Sequence, residues 1–171
     1  RLSEIDDIHL AAGTTPGSLV IPAALTLAAH LGPTEPGVLE DAILCGYDAL
    51  VRLGEEMGGA SILYRGIWPT YFNAPFGVAA LAAKLLGLDA RQSAHALGLA
   101  LVTASPNVGQ QAGKMGRWLL LGAAARNGVM AALAAREGFA ADLALLDKPF
   151  HGVYGIKIEG ERLLADRKST R

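Results

Sequence analysis

Apolar positions recur at helical spacing along nearly the whole chain. The first such stretch starts near Ser18, a candidate N-cap, with Pro22 tolerated close to the first turn, and stops at Gly32-Pro33. Thr34 is placed to cap a second helix, with Glu35 favourable against its dipole. In that helix Val38, Leu39, Ala42, Ile43, Gly46, Leu50 and Leu53 share one face, and it ends before Gly58-Gly59. An aromatic-rich break from Tyr64 to Asn73 follows, and Asn73 with Pro75 reads as a cap and first turn of a helix closed by Gly87. Asp89 and Gln92 have capping-box spacing for the next helix, which ends before Ser105-Pro106. Residues 107–116 read as a glycine-rich polar loop. A long helix from Arg117 to Glu137 is terminated by Gly138, and a short turn is expected over residues 139–146.

Val153 to Ile158 alternates weakly and is expected to form a strand. No other stretch alternates, and no repeat has solenoid spacing. The fold class expected is therefore all-α, a bundle of at least five helices with at most one short strand pair. Residues 1–150 form the helical domain, and residues 151–171 are read as an irregular charged tail.

Composition sharpens this picture. The chain has 171 residues, enough for one domain with a real core. Hydrophobic residues make up 51% and charged ones 18%, which excludes a disordered chain and suggests more than one buried face. The 15 Lys and Arg balance 16 Asp and Glu, so there is no basic field for nucleic acid or an anionic membrane. Alanine and glycine are abundant, with 21 glycines, as in helices packed backbone to backbone. Membrane helices use the same device. However, the long uncharged runs, Ile8 to Thr34 and Gln92 to Gly113, are broken by prolines and polar residues, so no integral membrane protein is expected. The single Cys45 excludes an internal disulfide framework and a cysteine metal cluster, and the cytoplasm is the default compartment. The chain opens at Arg1 without a Met or signal-peptide pattern and is expected to begin inside a longer protein.

Four segments could carry chemistry. In Glu4-Ile5-Asp6-Asp7-Ile8-His9, carboxylates beside an imidazole can serve as acid and base; a solvated acidic loop or helix cap is the plainer alternative. No further ligand stands at metal-site spacing. Gly13-Thr14-Thr15-Pro16-Gly17-Ser18 leads into a helix whose free N–H groups could hold a carboxylate or phosphate, or it is simply a turn with an N-cap. It lacks the lysine and glycine spacing of a P-loop. In Tyr64-Arg65-Gly66-Ile67-Trp68-Pro69-Thr70-Tyr71, Arg65 could clamp a carboxylate while Trp68 and Tyr71 wall a pocket; a packed interhelical loop is as good a reading. Lys114 and Arg117, in a loop running into a helix, could neutralise an anionic substrate or remain solvated. His30, His95 and His151 are scattered and read as surface or core residues.

Taken in order, the segments resemble the MmgE/PrpD family, which includes 2-methylcitrate dehydratase, cis-aconitate decarboxylase and iminodisuccinate epimerase. The resemblance runs through Glu4-Ile5-Asp6-Asp7, Thr15-Pro16-Gly17-Ser18, Ile21-Pro22-Ala23-Ala24, Gly46-Tyr47 and Arg52-Leu53-Gly54. It continues through Gly66-Ile67-Trp68-Pro69-Thr70, Phe76-Gly77-Val78-Ala79-Ala80, Ala83-Lys84-Leu85-Leu86-Gly87-Leu88 and Ala96-Leu97-Gly98-Leu99-Ala100. Gly122-Ala123-Ala124-Ala125-Arg126-Asn127-Gly128 and Glu137-Gly138-Phe139 complete it, so that residues 3–146 are covered. The resemblance implies a large helical domain joined to a smaller α+β lid, with the active site between them. It implies no redox cofactor or required metal, small polycarboxylate substrates, and usually a dimer. Only the later part of the helical domain is matched, so the first helices and the lid are expected to be absent. Three positions depart from the family pattern. Thr15 and Trp68 stand where histidine is typical, and Arg117 where lysine is typical, so three proton-transferring groups are replaced by groups that do not transfer protons at neutral pH.

Two function classes follow. One is a lyase or isomerase acting by proton abstraction on a small carboxylated molecule. In it Asp7 or His9 is the base, and Asp6, Thr15, Trp68, Lys114 and Arg117 bind substrate. The other is a non-catalytic helical subunit that needs a partner chain. Neither calls for a cofactor, a metal, nucleic acid or a membrane. The low charge predicts a homodimer or a companion chain carrying the lid. Thr15, Trp68 and the Lys114–Arg117 loop are expected to converge near Asp7 and His9, with Arg117 as the strongest anion contact.

Overall fold

The computed structural model describes residues 6–104 and 116–164, except for the side chains of Arg117, Lys148 and Arg162. Helices follow in the order α1 (Gly17–Leu31), α2 (Val38–Glu56), a 3₁₀ helix (Gly59–Arg65), α3 (Pro69–Leu85), α4 (Ala90–Val102), α5 (Gly116–Arg136), α6 (Lys148–Tyr154) and α7 (Glu161–Leu164). The fold is all-α. Among the described residues the sole β-type pairing is an isolated antiparallel bridge between His9 and Thr14.

Helix α3 is the hub and packs on α1, α2, α4 and α5. All of it is buried except Ala80 and Lys84. A helix apolar on every side must be wrapped in this way. Small residues let its neighbours approach closely. A Cβ on Gly77 would lie 2.7 Å from Leu50 Cβ in α2, and one on Gly128 in α5 would lie 2.6 Å from the Pro75 carbonyl oxygen. One apolar cluster joins α1, α2, α3 and α5 through residues such as Val20, Leu50, Leu81 and Ala132. A second lies where Leu53, Ile62, Phe72 and Leu101 meet Phe150 and Ile156. There Phe72, Phe150 and Tyr154 form an aromatic triad with ring centroids 4.9–5.9 Å apart.

Local signals set several boundaries. The capping box is present: Asp89 Oδ1 accepts from Gln92 N at 2.7 Å, and Gln92 Oε1 accepts from Asp89 N at 3.1 Å. Gly138, at φ +90°, closes α5, where a left-handed residue without a Cβ costs nothing.

Four expectations change. Ser18 does not cap α1; Pro16 holds the cap position, and Ser18 Oγ donates back to the Thr15 carbonyl at 2.9 Å. Helix α2 starts after Gly37 rather than Thr34, because Gly37 takes a left-handed conformation (φ +83°) that ends the connection there. Helix α3 starts at Pro69, four residues before Asn73, because a proline at the first helical position loses no hydrogen bond and Trp68 before it is extended. The expected strand at Val153–Ile158 is instead the end of α6 followed by irregular chain. Phe150 and Tyr154 must share one face to reach Phe72, which requires helical spacing.

The residues read as a tail include the end of α6 and all of α7, and both helices are tied to the bundle. Arg65 donates to the carbonyls of Tyr154 and Gly155 at the end of α6. Glu56 in α2 accepts from the N–H groups of Glu159 at 2.6 Å and Gly160 at 2.7 Å, and Arg52 donates to the Leu163 carbonyl at 3.1 Å. The stretch Trp118–Arg136 of α5 is long and apolar enough to cross a membrane, and here it packs on α3 and α4.

Candidate functional site

The chain before α1 doubles back on itself. His9 N donates to the Thr14 carbonyl at 2.8 Å, and Thr14 N donates to the His9 carbonyl at 3.3 Å. The resulting turn lies on the start of the 3₁₀ helix, where only glycines fit. A Cβ on Gly59 would overlap the Ala11 carbonyl, and one on Gly13 would lie 2.8 Å from Ala60 N. This turn fixes Asp7, His9 and Thr15 relative to the bundle.

Asp7 is exposed, and both its carboxylate oxygens lie 3.0 Å from the backbone N of Gly17, the first residue of α1. Ten residues upstream of the helix, it supplies the acceptor that the cap residue Pro16 lacks. The Tyr47 phenol, from α2, bonds to the same carboxylate. Burial and that bond to Asp7 push the phenol up from 10.0 to about 12. Tyr47 therefore stays protonated at neutral pH and remains a hydrogen-bond donor.

His9 points elsewhere. Its Nδ1 accepts from the Ala12 N–H at 3.2 Å, and its Nε2 lies 3.8 Å from Glu55 Oε1. The first contact needs an unprotonated Nδ1, which leaves the proton of the neutral ring on Nε2 facing Glu55. The lone pair that a base would use is directed into the turn. Asp6 is half-buried and partnered.

Thr15 joins the starts of α1 and α3. Its N–H donates to Thr70 Oγ1 at 3.2 Å, and its hydroxyl lies 3.4 Å from both Thr70 Oγ1 and Ser18 Oγ. Trp68, two residues before Thr70, precedes α3 in an extended conformation, half-buried, with its ring centroid 5.5 Å from that of Tyr71. The structure thus brings the Asp7–Tyr47 pair, Thr15 and the Trp68–Thr70 segment around the starts of α1 and α3, and turns His9 toward the end of α2.

Lys114 lies outside the described residues, as does the Arg117 side chain; the backbone of Arg117 is in the first turn of α5. Its neighbour Trp118 and Ser18 line one groove between α1 and α5, so the start of α5 approaches the start of α1. This groove has a volume of about 760 Å³ and is mainly apolar, through Leu19, Leu27, Leu121 and Val129, with Arg126 and Arg136 at its wall. Among the described residues no three His, Cys, Asp or Glu side chains form a metal-binding group.

Tyr47 and Thr70 belong to the constellation but were not singled out by sequence reasoning. Both stand in segments of the family resemblance, Gly46-Tyr47 and Trp68-Pro69-Thr70, and that was the available signal. Their contacts to Asp7 and Thr15 span 40 and 55 residues, beyond any local pattern.

Comparison with known proteins identifies the family. The chain is 34% identical over 160 residues to a cis-aconitate decarboxylase of Aspergillus terreus, covering 89% of this chain and 32% of that protein. It is 31% identical over 165 residues to the cis-aconitate decarboxylase-like protein oryM of Aspergillus oryzae, covering 92% of this chain and 34% of that protein. The chain therefore spans about a third of the length of these relatives. The family model described as the MmgE/PrpD N-terminal domain matches residues 1–163, and the chain belongs to the MmgE/PrpD family.

Proposed function

We propose that this chain is the helical part of a lyase that removes a proton next to a carboxylate of a small polycarboxylic acid, cis-aconitate being the first candidate. One observation carries the reading: the exposed Asp7 carboxylate held between Gly17 N–H and the Tyr47 phenol, in a chain similar to cis-aconitate decarboxylases. Asp7 is the base. His9 is the weaker candidate, since its accepting nitrogen faces Ala12. Asp6, Thr15 and Trp68 contact substrate, and Lys114 and Arg117 neutralise its carboxylates and the enolate-like charge that follows deprotonation.

From that enolate, loss of a leaving group from the neighbouring carbon gives dehydratase chemistry, and return of the proton gives isomerase chemistry. Decarboxylation of cis-aconitate instead breaks the C–CO2 bond, leaves the electron pair on the allylic carbon as CO2 departs, and needs a proton delivered there by a protonated site acid. Lyase chemistry is favoured by the names of the relatives. No cofactor is required by this scheme. The apolar groove between α1 and α5 supports association, as a homodimer or with a lid-bearing segment, and the exposed lone thiol of Cys45 fits a reducing cytoplasm.

The test follows cis-aconitate in heavy water by NMR, with the wild-type chain and Asp7→Asn. Decarboxylation or deuterium incorporation in the wild type, and its loss in the variant, supports the proposal. Tight carboxylate binding with no exchange in either would favour a non-catalytic subunit.

A further inference from the structure

Thr14 and Asn73 are fully buried, yet Thr14 Oγ1 and both Asn73 amide atoms have no hydrogen-bond partner among the described residues. A buried polar group left unpaired is costly, and native proteins normally satisfy such groups with protein or ordered water. Asn73 alone offers two donors and two acceptor sites.

The register of α2 and α3 points both residues to one junction. Helices α2 and α3 run antiparallel, with Gly46 against Leu81 and Gly77, and Leu50 against Gly77. Continuing that register by one turn sets Gly54 beside the turn of α3 that holds Thr70 and Asn73. Thr14 lies there too, since its Cγ2 would be 3.2 Å from a Cβ on Gly54, and its neighbour Thr15 donates to Thr70. Three hydroxyls already form a chain, Ser18–Thr15–Thr70, and Asn73 is one turn further along α3.

We infer that Thr14 Oγ1 and the Asn73 side chain share an internal water-binding site where the His9–Thr14 turn meets α2 and α3. A water there accepts from the Thr14 hydroxyl and donates to Asn73 Oδ1, or accepts from Asn73 Nδ2 and donates to Thr14 Oγ1. Asn73 then acts as a positioning residue. Through that water it holds the turn that carries Asp7, His9 and Thr15, without touching substrate itself. The inference concerns how the turn is held and stands whether or not the chain is a lyase.

A crystal structure at about 1.5 Å resolution tests it directly. A discrete water peak within about 3.2 Å of Thr14 Oγ1 and of an Asn73 amide atom is expected. Direct protein partners for both groups, with no such peak, would overturn the inference.

A double-mutant cycle of Thr14→Val and Asn73→Leu in urea unfolding gives a second reading. Each single variant should lower the folding constant about tenfold, and the double variant should lose clearly less than the product of the two, because both lose the same water. Strict additivity would count against a shared site. If Asn73→Leu does not fold, amide exchange in the near-isosteric Thr14→Val decides. Exchange at the backbone amides of positions 9 and 14 should quicken about tenfold while the α4 amides stay unchanged. No change at the turn would overturn the positioning role.

Discussion

The Asp7 carboxylate straddles the Gly17 N–H, with both oxygens 3.0 Å from the nitrogen, and it can do so only because Gly17 has no side chain. A Cβ there would stand 2.6 Å from Asp7 Oδ1 and 2.5 Å from Tyr47 Oη. The first helix, the exposed carboxylate and the phenol are thus one unit.

Gly17→Ala should break that unit. The methyl group displaces the ends of two side chains rather than backbone, so the chain still folds, with a loss of about 1–2 kcal/mol from the missing helix-start acceptor. Urea unfolding measures the loss. Ultraviolet titration of the Tyr47 phenol should show its pKa falling from about 12 toward 10.0. An unchanged Tyr47 titration would show that the phenol is held by something other than Asp7.

Tyr47 also makes stability depend on pH. Its pKa is raised on folding from 10.0 to about 12. The neutral phenol is therefore favoured in the folded state. This stabilisation is fully present below pH 10.0 and is lost as pH rises through about 12. Urea midpoints of wild type and Tyr47→Phe should run parallel below pH 10 and separate above it, the wild type falling faster. Parallel curves throughout would place the phenol in an ordinary aqueous environment.

Glu56 holds the chain between α6 and α7, accepting from Glu159 N and Gly160 N. Glu56→Ala should cost about 1.5–3 kcal/mol, the range for hydrogen bonds to a charged group. Protease cleavage within residues 155–164 should become faster, while cleavage between α1 and α2 stays unchanged. Mass mapping of the first fragments distinguishes the two sites.

Asp89→Ala removes one half of the capping box with Gln92. A loss of about 1 kcal/mol is expected. Asp89→Asn should retain most of the stability, because its side-chain oxygen still accepts from Gln92 N. Equal losses in both variants would mean that charge at the helix start, not the hydrogen bond, is what matters.

The features legible in the sequence are those whose physics fits within one helical turn. The Asp89–Gln92 box, the stop at Gly138 and the apolar face of α2 need only neighbours three or four residues away. The family resemblance added the order of these pieces. Asp7, Thr15 and Trp68 could be named from the sequence as candidate site residues, but their contacts could not. Tertiary packing decided that Asp7 joins Tyr47 and Gly17 while His9 turns to Ala12 and Glu55. It also decided that Thr15 meets Thr70, and that Asn73, which has the look of a helix cap, lies buried inside α3. The same holds for residues 153–158. Their weak alternation favours a strand, but Phe72 offers Phe150 and Tyr154 a buried aromatic surface that only helical spacing can reach. Local propensities differ by fractions of a kcal/mol per residue, whereas burying one large side chain contributes about 1.5–3 kcal/mol, so where the two disagree the packing wins.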